Sequence, residues 1–233
     1  MREPASSDAN NSEVQVVAGE PRSVKVWDPV VRIGHWLLAG GFLTAYLTAE
    51  ENQPIHVIAG YTVAAVVVLR IVWGFVGTKH ARFASFVRGP GAVLGYLGGL
   101  ATGKSKRSVG HNPAGAAMTV ALLICIGGVA TSGMALLAAE EGEGPLAGFI
   151  AAEGEGARPA EAAGEERELS EDHEEDEAGG GANEEVFEEV HEAFVNLTLL
   201  LIGLHIVGVI ASSLAHRENL VRAMITGRKR DGE

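Results

Sequence analysis

Cysteine is nearly absent from this chain of 233 residues; Cys125 is the only one. A single thiol excludes an intrachain disulfide framework, any CxxC redox or metal site, and covalent CxxCH attachment of a haem. Set in a glycine-rich run, Cys125 is expected to serve as a small packing residue. A basic surplus is missing too. The formal net charge is −12, which leaves no electrostatic footprint for nucleic acid. The first twenty-two residues lack an apolar stretch, so no cleaved signal peptide is expected, and they read as a disordered tail. No repeat of solenoid period is visible.

The acidity is local. Between Glu140 and Glu189 stand nineteen Asp/Glu and two Lys/Arg, a charge of 2 − 19 = −17, so the remainder of the chain sums to +5. Long uncharged runs make up much of that remainder. Ile33–Ala49, Ala114–Ala138 and Ala193–Leu214 carry no Asp, Glu, Lys or Arg, and Ile55–Leu69 continues past Arg70 to Val76. Each is long enough, or nearly so, to cross a bilayer as a helix. Trp27, Trp36 and Trp73 lie near the ends of these runs, where interfacial anchors belong. The expectation is an all-α integral membrane four-helix bundle in contact with membrane lipid.

The connections set the orientation. Lys79, Arg82, Arg88, Lys104, Lys106 and Arg107 separate runs two and three, and Arg217, Arg222, Arg228, Lys229 and Arg230 follow run four. The other two connections hold Glu50–Glu51 and the acidic segment. The positive-inside rule then puts both termini in the cytoplasm, N-in and C-in. The expected organisation is an N-terminal tail (1–26), three spans (27–139) with a cytoplasmic amphipathic connection near 83–108, an acidic extracytoplasmic loop (140–185), a fourth span (186–216) and a basic C-terminus (217–233). Within the connection, Phe86–Leu100 is expected to form a short interfacial helix with Pro90 in its first turn.

Histidine in hydrocarbon is costly unless something uses it. His191 and His205 are fourteen residues apart, almost four whole turns, so they share a helix face roughly 21 Å apart along the axis. His56 opens the second run and His35 comes early in the first. Depth alone suggests two pairs, His35 with His205 at the cytoplasmic level and His56 with His191 at the outer level. Zinc wants three or four clustered ligands, whereas these four divide between two levels. Two imidazoles on opposite sides of a planar macrocycle fit better, which is haem b held non-covalently, two per chain. The bland reading of any one of these histidines is a helix–helix hydrogen bond, but that does not account for four at paired depths.

Arg70, fourteen residues after His56, and Arg32, one turn before His35, are candidate propionate partners of the inner cofactor; the competing reading is positive charge placed by topology. Gly60 and Gly208 stand one turn from ligand positions and leave room for a porphyrin, or serve only helix packing. Tyr46 lies on the His35 face, or is an interfacial aromatic. His111 either lines the inner cofactor or sits at the interface. His80 and His216 are expected to be solvated, as is His173 in the acidic run, where loose cation binding is the lesser reading.

The stretches "VKVWDPVVRIGHW" (24–36), "HVIAGY" (56–61), "LRIVWGFVGTKHARFASFVRGP" (69–90) and "GHNPAGAAM" (110–118), with the His191/His205 pair, resemble the bacterial cytochrome b561 family, in particular its branch of Ni/Fe-hydrogenase b-type cytochrome subunits. The resemblance covers nearly all of the chain except the N-terminal tail and the acidic loop. It implies a four-helix bundle in the bacterial inner membrane with two haems b and axial ligands His35, His56, His191 and His205. It implies electron transfer between quinone and an extracytoplasmic partner. The long acidic segment departs from the family pattern at the place where that partner would dock. Acidic surfaces speed encounter with basic redox proteins, so a basic c-type cytochrome or a hydrogenase or other dehydrogenase subunit is expected there. Two alternatives stay open: a stand-alone quinone-linked oxidoreductase of a small species such as superoxide, and a non-redox metal-handling membrane protein.

Overall fold

A computed structural model describes residues 23–104, 110–150 and 177–230. Its helices are α1 (Pro29–Thr48), α2 (Gln53–Val76), α3 (Phe83–Phe86), α4 (Pro90–Ala101), α5 (Pro113–Glu140), α6 (Glu177–His216) and α7 (Leu220–Thr226), with two short strands, β1 (Ser23–Lys25) and β2 (Arg228–Arg230). Four helices are long and apolar enough to cross a membrane: Pro29–Thr48, Gln53–Val76, Pro113–Glu140 and Glu184–His216. The fold is the all-α membrane bundle that the uncharged runs predict.

The first three spans start by the same device. Asp28, Asn52 and Asn112 each accept a backbone N–H three residues on, from Val31 (3.0 Å), Ile55 (3.2 Å) and Gly115 (2.7 Å). A proline follows in each first turn, where its missing N–H leaves nothing unpaired. The spans bury little and turn large apolar side chains outward, among them Ile58, Val68, Phe75, Leu200 and Leu214. Lipid covers such a surface, and the helices associate through close packing rather than exclusion of water. α1 lies along α2 and α5 along α6, with α2 against α5 joining the two layers.

The end of the bundle carrying Asp28 is closed by the two ends of the described chain. β1 pairs antiparallel with β2, Val24 opposite Lys229. Val26 and Trp27 donate their N–H groups to the Gly227 carbonyl at 2.9 and 3.2 Å. Gly227 itself ends α7 at φ +78°, a left-handed position that favours glycine. Residues 23–26, expected to belong to the tail, are thus ordered by partners about two hundred residues away. The helix expected over 86–100 is α4, which starts at Pro90 after a break at Val87–Gly89 that separates it from the short α3, and α4 has no charged residue to make it amphipathic. α6 starts before the fourth apolar run. Its forty residues span ~60 Å, twice the hydrocarbon thickness, so its acidic first turns stand outside. The tail up to residue 22, most of the acidic loop, and His173 lie outside the described residues.

Candidate functional site

α6 carries a polar stripe down its inner face. His191, Thr198, His205 and Ser212 recur every seven residues, and seven residues are two turns less ~20°. Thr198 is fully buried and Ser212 nearly so, while Leu200, Leu204, Ile206 and Val207 on the other faces are exposed. The helix is therefore inverted relative to one in a soluble protein: its hydrogen-bonding side chains point into the bundle.

Two histidines of this stripe meet histidines from the other layer. The rings of His205 and His35 (α1) have centroids 6.4 Å apart. Those of His191 and His56 (α2) are 6.3 Å apart. A metal-bound imidazole nitrogen sits ~2 Å from its metal and ~1 Å from its own ring centre, so two imidazoles on opposite sides of one metal have centroids ~6 Å apart. Both spacings match that value. Among the described residues no group of three or more His, Cys, Asp or Glu is placed to hold a metal ion, so the histidines divide two and two.

The His56–His191 pair has its outward nitrogens fixed. His56 Nδ1 lies 2.9 Å from the Ala45 carbonyl. A carbonyl only accepts, so Nδ1 carries the proton and the neutral ring keeps its Nε2 lone pair for a metal. His191 Nδ1 lies 3.1 Å from Ser132 Oγ. The Ser132 hydroxyl donates to the Gly128 carbonyl at 2.8 Å, which leaves its oxygen to accept from His191 Nδ1–H. The same tautomer follows. Glycine makes room for this: a Cβ at Gly133 would lie 2.9 Å from His191 Cε1, and one at Gly128 would lie 2.4 Å from Phe194 Cε1. Ser132 had no signal in the sequence beyond being one small residue among many in α5.

The His35–His205 pair is differently surrounded. His35 Nδ1 is buried without a hydrogen-bond partner, and Trp36 stands edge-on at 5.2 Å. Arg70 is buried and its Nη1 also has no partner. The two candidate arginines part company here. Arg32 donates from Nε to the Met224 carbonyl at 3.2 Å and from Nη2 to the Ile225 carbonyl, so it is already engaged at the C-terminal end of α7. Gly60 and Gly208 border open space, with no atom within 4 Å of an added Cβ. Tyr46 is half exposed. His216, expected to be solvated, meets the Tyr96 hydroxyl at 3.3 Å.

His111 proves to be an inner residue. Its ring packs on Phe86 at 4.2 Å and edge-on to Trp27 at 4.5 Å, and its Nδ1 is buried and unpartnered. Burial, reinforced by the charges of Arg70, Lys229 and His80, pushes its pKa down to about 3. Nearby Asp28 is pushed up by burial, but hydrogen bonds from Thr78, Val31 N–H and Trp73 outweigh this and hold its pKa below the usual carboxylate value. Paired imidazoles at metal-spanning distance and a buried arginine with no carboxylate in contact are a donor set that fits a haem b.

Comparisons with known proteins bear on the family rather than on the individual donors. The family model for prokaryotic cytochrome b561 matches residues 26–227. A protein of Rhizobium leguminosarum bv. viciae described as "Probable Ni/Fe-hydrogenase B-type cytochrome subunit" is 33% identical over 107 residues, covering 37% of this chain and 43% of that protein. No solved structure matches the chain.

Proposed function

The chain belongs to the prokaryotic cytochrome b561 family and has a membrane haem b electron-transfer role, and from that premise we propose that it works with two haems b stacked across the bilayer. His35 and His205 would hold one haem and His56 and His191 the other, the latter pair through Nε2 because their Nδ1 atoms are engaged. Haem b, when bound, would supply a one-electron couple. With both histidines of each pair engaged, these residues would serve electron passage. The observation that carries this reading is the pair of imidazole–imidazole spacings, 6.4 and 6.3 Å, with one member of each pair from α6.

The chain's own residues then have simple tasks. The Ala45 carbonyl and Ser132 fix two ligand tautomers. The lipid-facing residues of the four spans hold the column in the membrane and keep water from the ligands. We place the end with β1, β2 and α7 in the cytoplasm of a bacterial inner membrane, because its charges are basic and the opposite end is acidic. Quinone in the membrane is one electron partner. The other docks at the acidic end, and a hydrogenase subunit is proposed from the printed role of the Rhizobium relative, with a basic c-type cytochrome as the other candidate.

The test is a reduced-minus-oxidised optical spectrum of the full chain in mild detergent, with a pyridine haemochrome count. Two low-spin b haems per chain are expected. His35→Ala and His205→Ala should each remove the same haem, and His56→Ala and His191→Ala the other. A chain that binds none under haem-replete expression, or variants that do not group in these pairs, would sink the reading.

A further inference from the structure

We propose that Arg70 and His111 form one buried carboxylate clamp below the His35–His205 pair, and that it grips a carboxylate of the cofactor held there. The inference rests on the two-haem reading above.

Arg70 is a buried guanidinium for which the described residues provide no counter-charge in contact. Its exposure is 8% and its Nη1 has no partner. Asp28, the acid on that side, acts on Arg70 through its charge but does not touch it; its oxygens take Val31 N–H at 3.0 Å, Trp73 Nε1 at 3.1 Å and Thr78 Oγ1 at 2.5 Å. A buried guanidinium with no carboxylate in contact is better satisfied when one reaches its free N–H edge. The Phe83 ring lies under the guanidinium at 5.1 Å, which occupies one face and leaves the N–H edge free.

His111 offers a second orphan in the same place. Held between Phe86 and Trp27, it cannot turn to find another partner for Nδ1. Phe83 and Phe86 are successive ring positions of α3 with centroids 5.7 Å apart. Arg70 rests on the first and His111 on the second, so one short helix sets the two unpartnered groups side by side.

Depth and face point toward the cofactor column. A Cβ added at Gly34 would lie 3.6 Å from Val66 Cγ1, so α1 and α2 run close here and the neighbouring His35 stands near the level of Val66. Arg70 follows Val66 by four residues, about one turn or ~6 Å nearer the cytoplasmic end. It also follows His56 by fourteen residues and so shares its face of α2. The guanidinium fork matches a carboxylate in shape and charge. A free anion would have to leave water and lose its freedom to enter this interior. A carboxylate on a group already anchored by two histidines has lost that freedom beforehand.

The experiment measures cofactor loss from the purified full chain to excess apomyoglobin, resolved for the two sites. It uses wild type, Arg70→Gln, Arg70→Lys and His111→Gln, each loaded with haem b or with its dimethyl ester, which lacks free carboxylates. Arg70→Gln should speed loss from the His35–His205 site about tenfold, the size of one charge-assisted hydrogen bond, and leave the other site unchanged. Arg70→Lys and His111→Gln should give smaller increases. The ester should leave the wild-type inner site about tenfold faster too, and Arg70→Gln should add nothing to it. An Arg70→Gln effect of equal size with haem and ester would overturn the proposal and assign the clamp to a free anion. So would an ester that the wild-type inner site retains as long as haem. A chain without haem fails the two-haem reading; a two-haem chain whose inner site ignores these changes fails only the clamp. If Arg70→Gln does not accumulate, the wild-type chain with ester and the Arg70→Lys chain decide.

Discussion

At the acidic end of the bundle, both imidazoles of the His56–His191 pair are held by hydrogen bonds that Nδ1–H donates, to the Ala45 carbonyl and to the Ser132 oxygen. At the basic end, His35 Nδ1 has no partner, and a buried arginine stands about one turn away. The spacings of the two pairs are nearly equal, so the difference lies in the second layer. A hydrogen-bonded Nδ1–H makes an imidazole the stronger donor and favours oxidised iron. A cation nearby favours the reduced form, in which the site carries one less positive charge. With a haem in each site, the two would be tuned in opposite directions by residues that touch no metal.

The largest test of this contrast is steric. Gly133→Ala brings a Cβ against His191, 2.9 Å from its Cε1. Overpacking of this kind costs about 2 kcal/mol, so the outer haem should be lost or held more than tenfold less tightly while the inner remains. Haem counts and site-resolved spectra check this. Next comes the order of potentials. Spectroelectrochemical titration should find the His56–His191 couple below the His35–His205 couple, so that electrons run downhill from the acidic end to the basic end; the reverse order would break the comparison. Ser132→Ala should sharpen it by raising only the lower couple, by about 1 kcal/mol or several-fold in the equilibrium.

The smallest effect concerns pH in the haem-free chain. His111 has a native pKa near 3, against an ordinary value of 6.5. Between these values the unfolded chain binds a proton that the native ring refuses, so stability present above pH ~6.5 is lost as pH falls toward 3. His111→Gln should therefore make the acid-side decline of the melting temperature shallower. An unchanged decline would show that His111 is not buried neutral.

The legible parts of this molecule were those set by period and depth. Uncharged run lengths gave the spans, and a fourteen-residue interval on one helix was enough to pair His205 with His35 and His191 with His56. Arg32 and Arg70 had equal standing in the sequence, because each lies near a span end and within reach of a ligand level. Only the return of α7 separates them, by offering the Met224 and Ile225 carbonyls to Arg32 across more than 190 residues. Ser23–Lys25 looked like tail for the same reason: a three-residue strand has no signal of its own and exists through its partner. For His111 the sequence left a place beside the inner cofactor and one at the interface equally open, and nothing local indicated the aromatic slot between Trp27 and Phe86.

The long polar stripe of α6 also bears on biosynthesis. Each imidazole pair takes one member from this helix and the other from α1 or α2. A nascent chain with only its first three spans inserted holds both early histidines and neither partner, so it has no place to retain the cofactor. Ligation then becomes possible at both levels within the insertion of a single helix. α6 is then the latch of the molecule, and a chain cut before Glu177 should insert without colour.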